Sequence, residues 1–169
     1  MRHRLRPTVA LNAALADALR AESERHAPYE TGGVLLGAAY RGLVQITQLV
    51  DAGPGAKRAA HRFDPDGPWQ RHRVAERYRD SAGTLAYLGD WHSHPLGGEP
   101  SALDRSTAAR IANAPAARCP RPVFLIVTWD QDRWDLRAYQ YRGRRFRPLV
   151  VVIERADTVE GTDKGSNPG

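Results

Sequence analysis

Cysteine is almost missing from this chain: Cys119 is the only one in 169 residues. A single thiol closes no internal disulfide, which excludes a disulfide-stapled secreted scaffold. It also falls short of the several thiolates that a closed structural zinc site recruits. Lysine is nearly as scarce. Only Lys57 and Lys164 occur, so arginine supplies 23 of the 25 basic side chains. Long apolar runs are absent too. Nothing approaches the roughly 18 residues that a membrane-spanning helix needs, and Asn12, Asp17 and Arg20 interrupt the leading segment. Met1 to Arg6 is basic in the manner of a signal peptide, but no clean apolar stretch and cleavage site follow. The expected compartment is a reducing cytoplasm, with no membrane involved.

What is present fits one soluble domain. At 18.7 kDa, with 41% hydrophobic and 26% charged residues, the chain can bury a core. The formal charge is +6. Such a surface attracts nucleic acid or acidic protein, but the arginines are scattered from Arg2 to Arg155 and form no long block. Nucleic acid is therefore not the expected partner. Tyr139 to Arg147 interleaves aromatics with arginines, as a nucleic-acid patch does, and a hairpin with aromatics inward and arginines outward explains that stretch equally well.

Hydrophobic spacing outlines the elements. Leu11, Ala14, Leu15, Ala18 and Leu19 recur at helical intervals, predicting an amphipathic helix from Leu11 to about His26. Val34-Leu35-Leu36 and the alternating stretch from Leu43 to Val50, separated by Gly42, predict a β-hairpin. Ala52 to Ala60 reads as a loop, and His61 to Asp64 as a short strand. A polar helix from about Trp69 to Asp80, a strand ending at His94, and a helix from Ser101 to about Asn113 follow. Strands are expected at Val123 to Thr128, Trp134 to Tyr141 and Phe146 to Ile153. The class is α/β: a mixed, mostly antiparallel curved sheet flanked by helices. Residues 1–154 form one domain in this reading, and 155–169 a polar, disordered tail.

The chemistry concentrates at His92-Ser93-His94, Ser101 and Asp104. Side chains two apart on a strand share a face, so both imidazoles can meet one point. Asp104, opening the next helix, can return a carboxylate to it. Two imidazoles, a carboxylate and an open position suit a catalytic zinc. A second carboxylate must then carry the proton, and Glu30, just before a strand, is the candidate. A hydroxyl at Ser101 is placed to steady an oxyanion. Ser101-Ala102-Leu103-Asp104 is equally a capping box whose only work is to start a helix. His61 and His72 have no partner at ligand spacing, and Cys119 reads as a buried or incidental thiol.

The combination Glu30, His92-Ser93-His94-Pro95 and Ser101-Ala102-Leu103-Asp104 resembles the signature of the JAMM zinc metalloproteases, whose fold is the MPN/JAB, cytidine-deaminase-like architecture. Glu30-Thr31-Gly32-Gly33-Val34-Leu35-Leu36-Gly37 resembles that family's first core strand, and the likeness runs from about Thr8 to Ile153. It implies hydrolysis after the C-terminal glycine of a ubiquitin-like or C-terminally conjugated protein. By the same resemblance His92, His94 and Asp104 bind one zinc ion, Glu30 is base and acid, and Ser101 steadies the oxyanion. Gly89-Asp90-Trp91-His92 and the stretch to His61-Arg62-Phe63-Asp64 look nearest to stand-alone bacterial JAB proteins of antiphage operons, some of them encoded beside E1-like and E2-like enzymes. The resemblance places a substrate-clamping insertion at about Ala52 to Asp66, with Trp91, Phe63 and Asp64 as substrate contacts, and Trp91 reads equally well as a core aromatic beside the zinc. The loop Pro95 to Pro100 is one residue shorter than the family pattern, a gap that Gly97-Gly98 can absorb. Two other readings remain beside this one: a catalytically silent scaffold of the same fold, and a basic nucleic-acid-binding protein.

Overall fold

The computed structural model describes residues 6–155, so the tail expected to be disordered lies, apart from Arg155, outside the described residues. Strand β1 (Thr8–Asn12) leads into helix α1 (Ala13–His26), then β2 (Gly32–Tyr40) and β3 (Leu43–Val50). A small hairpin, β4 (Lys57–Ala59) and β5 (Arg62–Asp64), precedes α2 (Gly67–Asp80). Next come β6 (Ala86–His94), α3 (Ala102–Ala112), a 3₁₀ turn at Pro115–Ala117, β7 (Val123–Asp130), β8 (Arg133–Arg142) and β9 (Arg145–Glu154).

Seven strands close on themselves in the order β1-β3-β2-β6-β7-β8-β9, with β9 returning to β1. Hairpin-connected neighbours and the β2–β6 pair are antiparallel, while β1–β3, β1–β9 and β6–β7 are parallel. A parallel pair needs a crossover, and α3 with its flanking loops supplies it between β6 and β7. The expected mixed, mostly antiparallel curved sheet is thus what the chain forms. The curvature goes as far as closure, which leaves no free edge.

Alternation assigns the two faces. Leu35, Leu88, Leu125 and Val127 point into the main core, which also takes Ala16 and Leu19 from α1. Val34, Leu36 and Val50 point the other way and are covered by Trp69 and Val74 of α2. Burying a leucine such as Leu125 completely is worth roughly 1.5–3 kcal/mol each, so this packing fixes the register of β6 and β7.

Two boundaries differ from the sequence reading. Leu11 is not helical: it lies in β1, paired with Ile153, and α1 begins at Ala13. Asn12 is the reason, since its side chain accepts the Leu15 N–H at 2.8 Å and caps the helix there. The supposed loop Ala52 to Ala60 contains β4. That three-residue strand exists only by pairing with β5, a partner that no local pattern announces.

Candidate metal centre

Strand β6 ends in His92-Ser93-His94, and the alternation of the strand puts both imidazoles on one face. Their Nε2 atoms stand 2.9 Å apart. Asp104, one turn into α3, brings Oδ1 to 3.2 Å from the His92 Nε2 and Oδ2 to 3.8 Å from the His94 Nε2. All three side chains are about nine-tenths buried. Two facing ring nitrogens can share at most one proton between them, so the cluster is short of donors and rich in lone pairs. An ion bound tetrahedrally at about 2.0–2.2 Å spaces its ligand atoms about 3.3 Å apart. The three separations straddle that figure, and the donor set of two imidazoles and a carboxylate fits a catalytic zinc with one position open. Among the described residues, this is the one group of histidine, cysteine and acidic side chains arranged to hold a metal.

Electrostatics supports the grouping. Burial raises the Asp104 carboxyl, but the hydrogen bond and charge of His92, joined by the Ser101 N–H, outweigh it and hold the group well below the usual carboxylate range. Burial, reinforced by His92, lowers the His94 imidazole, so it stays neutral and able to ligate. Glu30 is pushed up to about 7, chiefly by burial, against the pull of His92 and with a smaller push from Asp104. A carboxylate poised near neutrality is suited to accept and return a proton.

Ser101 caps α3. Its Oγ accepts the Asp104 N–H at 3.1 Å, and its own N–H donates to Asp104 Oδ2 at 2.6 Å. The capping box therefore orients the carboxylate, and the serine O–H proton is left for another acceptor. A cleft of about 390 Å³ joins Glu30, His94, Ser101 and Asp104, rimmed by Ala60 and His61.

A profile of prokaryotic homologs of the JAB domain matches residues 12–141. The chain belongs to the prokaryotic JAB-domain family. It is similar to "Probable metalloprotease y4qB" of Sinorhizobium fredii, at 32% identity over 88% of this chain and 90% of that one. It is also similar to a "CD-NTase/cGAS isopeptidase" of Vibrio cholerae, at 29% identity over 79% of this chain and 78% of that one. The solution structure of protein DSY2949 from Desulfitobacterium hafniense shares the fold, with a TM-score of 0.68 at 16% identity over 88% and 94% of the two chains.

Within this JAB domain the insertion meets the cleft differently from the expectation. Ala60 and His61, at the tip of the β4–β5 hairpin, reach it. Phe63 instead packs over Gly32, where a Cβ would stand 2.8 Å from its ring and 3.0 Å from the His92 Cβ, so only glycine allows the hairpin so close to the histidine strand. Asp64 pairs with Arg62 rather than facing the cleft. Trp91 lies in the core at 3% exposure, its indole N–H without a partner, which removes it from any open channel wall. The aromatics of the Tyr139–Arg147 stretch do not face the barrel core that takes Leu136 and Ala138: they lie on the opposite face, partly buried, where Phe146 packs on Phe124, Tyr139 and Tyr141.

Spacing also missed the residues that assemble the JAB site. Ser93 and Thr31 join β6 to the Glu30 segment by hydrogen bonds. The Glu30 N–H donates to the Ala59 carbonyl at 2.9 Å, and Arg58 donates to Thr31 Oγ1 at 3.0 Å, so the β4–β5 hairpin braces the same segment. Glu99 ties the short loop after His94 to β8, accepting from Arg137 at 3.0 Å and from the Tyr139 hydroxyl. With that tether, and Gly97 and Gly98 at positive φ, six residues span from His94 to the capping serine. No local pattern encodes these contacts.

Proposed function

We propose that this chain is a zinc-dependent isopeptidase that cleaves after the C-terminal glycine of a ubiquitin-like or C-terminally conjugated protein and releases the conjugated target. The observation that carries the reading is the meeting of His92, His94 and Asp104 at ligand spacing beside a carboxylate raised to about 7. Family membership and the relatives named metalloprotease and isopeptidase support a hydrolase of this kind. The relatives named CD-NTase/cGAS isopeptidase support a conjugated protein as substrate, and an antiphage operon with E1-like or E2-like enzymes is the context proposed for it. Among the described residues no helix is long and apolar enough to cross a membrane, and the reaction is assigned to the cytoplasm.

His92, His94 and Asp104 would hold the ion, which when bound would polarise the scissile carbonyl as a Lewis acid and acidify water. Glu30 accepts a proton from the attacking water at its carboxylate and returns it to the nitrogen of the leaving amine. The Ser101 hydroxyl donates to the oxygen that gains charge as the carbonyl carbon becomes tetrahedral. Asp104, already charged and capped, needs no rearrangement during this sequence.

The test is cleavage of candidate ubiquitin-like proteins, joined through their terminal glycine to a reporter by a linear or an isopeptide bond. The wild-type protein is expected to cut at the glycine, and Glu30→Gln is expected to retain metal while losing at least a hundredfold in rate. A Glu30→Gln variant with full activity would overturn the assignment.

A further inference from the structure

We propose that the end of the barrel opposite the metal centre is a second site, one that binds a nucleotide carrying two or more phosphates. Strand β6 connects the two ends. His92 and His94 sit at its C-terminal end, whereas Ala86 and Leu88 at its start line a cavity of about 860 Å³. Eight residues of strand separate His94 from Ala86, roughly 26 Å at 3.3 Å per residue. The cavity is the barrel's other mouth. Its floor is the inner face of the sheet, with Val44, Leu88 and Val123 nearly fully buried.

The rim is arginine. Arg41 comes from the β2–β3 turn, Arg118 and Arg121 from the connection into β7, and Arg142 from the end of β8. Three separate connections therefore deliver four guanidinium groups to one mouth, although the sequence shows no basic block. No acidic residue lines the cavity. Five arginines elsewhere, Arg20, Arg25, Arg62, Arg73 and Arg137, meet carboxylates, while others on the surface, like the rim four, stand without one. None of the four rim arginines forms an ion pair with any described residue. Four like charges around one concavity repel one another, and a multivalent anion offsets that repulsion.

Chemistry selects the anion. Guanidinium forks match phosphate oxygens bidentately. The volume lies within the range of about 300–1,000 Å³ typical of small-molecule sites, and barrel mouths are a recurrent place for them. It is far larger than a bare phosphate needs. The aliphatic floor and the exposed ring of Tyr40 at the rim offer a surface for a flat heterocycle. A ring of arginines around a pit, rather than a track along the surface, suits a compact ligand better than a nucleic-acid strand. This site stands apart from the metal centre and does not depend on the reaction assigned there.

Calorimetric titration of the purified full-length chain at 150 mM salt tests the proposal, with the four ribonucleoside triphosphates, inorganic tripolyphosphate and a 12-nucleotide single-stranded DNA as probes. At least one nucleotide is expected to bind saturably at one per chain, and tripolyphosphate at least tenfold more weakly because it lacks the heterocycle. Arg118→Ala with Arg142→Ala is expected to cost at least tenfold in nucleotide affinity, whereas Glu30→Gln leaves it unchanged. NMR shifts on nucleotide addition are expected at Val123 and Gln140 rather than at His92. Absence of saturable binding at 1 mM nucleotide, equal binding of tripolyphosphate, or tighter binding of the oligonucleotide would each overturn it.

Discussion

Thr31 and Ser93, 62 residues apart in the chain, hold each other by two hydrogen bonds: the Thr31 N–H donates to Ser93 Oγ at 3.0 Å, and the Ser93 N–H donates to the Thr31 carbonyl at 2.8 Å. Both residues are fully buried. Ser93 is the middle residue of His92-Ser93-His94, so its side chain points away from the paired imidazoles and toward the segment that carries Glu30. The clamp therefore sets the position of Glu30 relative to His92, His94 and Asp104.

Replacing Ser93 by Ala leaves the buried Thr31 N–H without an acceptor, a loss of about 1–3 kcal/mol. Urea denaturation is expected to show that loss, and kcat is expected to fall at least tenfold while metal content stays near one per chain. Ser93→Thr, which keeps the hydroxyl, is expected to rescue both. Unchanged kcat in Ser93→Ala would mean that the clamp serves stability alone.

The capping of α3 by Ser101 and its proposed role at the oxyanion separate by substitution. Glycine is a tolerable N-cap, costing only a few tenths of a kcal/mol against serine, whereas alanine costs about 1. Ser101→Gly is therefore expected to melt close to wild type yet lose at least tenfold in kcat, because the hydroxyl is gone. A Ser101→Gly variant with wild-type kcat would reduce the serine to a helix cap.

The spacing of His92 and His94 and the capping pattern of Ser101 and Asp104 were legible because both are local, a two-residue strand repeat and one helical turn. Glu30 was legible only in combination with them. The clamp between Thr31 and Ser93, the Glu99 tether and the cleft position of His61 were not, since each depends on strand register between distant segments. Strand β1 was hidden for a related reason: five residues of Thr-Val-Ala-Leu-Asn continue into a helix without a break, and only pairing with β3 and β9 makes them a strand. Barrel closure follows from that same strand.

Activity should depend on pH through Glu30. The carboxyl titrates near 7 instead of its ordinary 4.5, raised mainly by burial. Proton acceptance requires the ionised form, so kcat/KM is expected to climb with pH through the Glu30 titration, which a cation held by His92, His94 and Asp104 would draw below about 7. The stability contribution has the opposite sign. A raised carboxyl favours folding in its protonated form, so that contribution is complete below about 4.5 and is lost as pH rises through about 7. Glu30→Gln is expected to abolish that part of the pH dependence of stability, read from thermal melts of metal-free protein between pH 4 and 8. A wild-type activity profile that stays flat from pH 4 to 8 would contradict the assignment of Glu30.

Cys119 should take no part in the chemistry. Burial pushes its thiol up to about 11, with Asp90 adding to the effect, so little thiolate exists at neutral pH. Treatment with an alkylating agent at pH 7.5 is expected to leave the folded protein unmodified and fully active. Rapid inactivation would point to a cysteine-dependent reaction instead.

Metal content tests the central claim most directly. Inductively coupled plasma mass spectrometry of the purified wild-type chain is predicted to find one zinc per molecule, with Asp104→Ala and His94→Ala each retaining less than a tenth of that while remaining folded by circular dichroism. A wild-type protein that binds no divalent ion on titration, or an Asp104→Ala variant that keeps a full complement of zinc, would contradict a metal centre built from His92, His94 and Asp104.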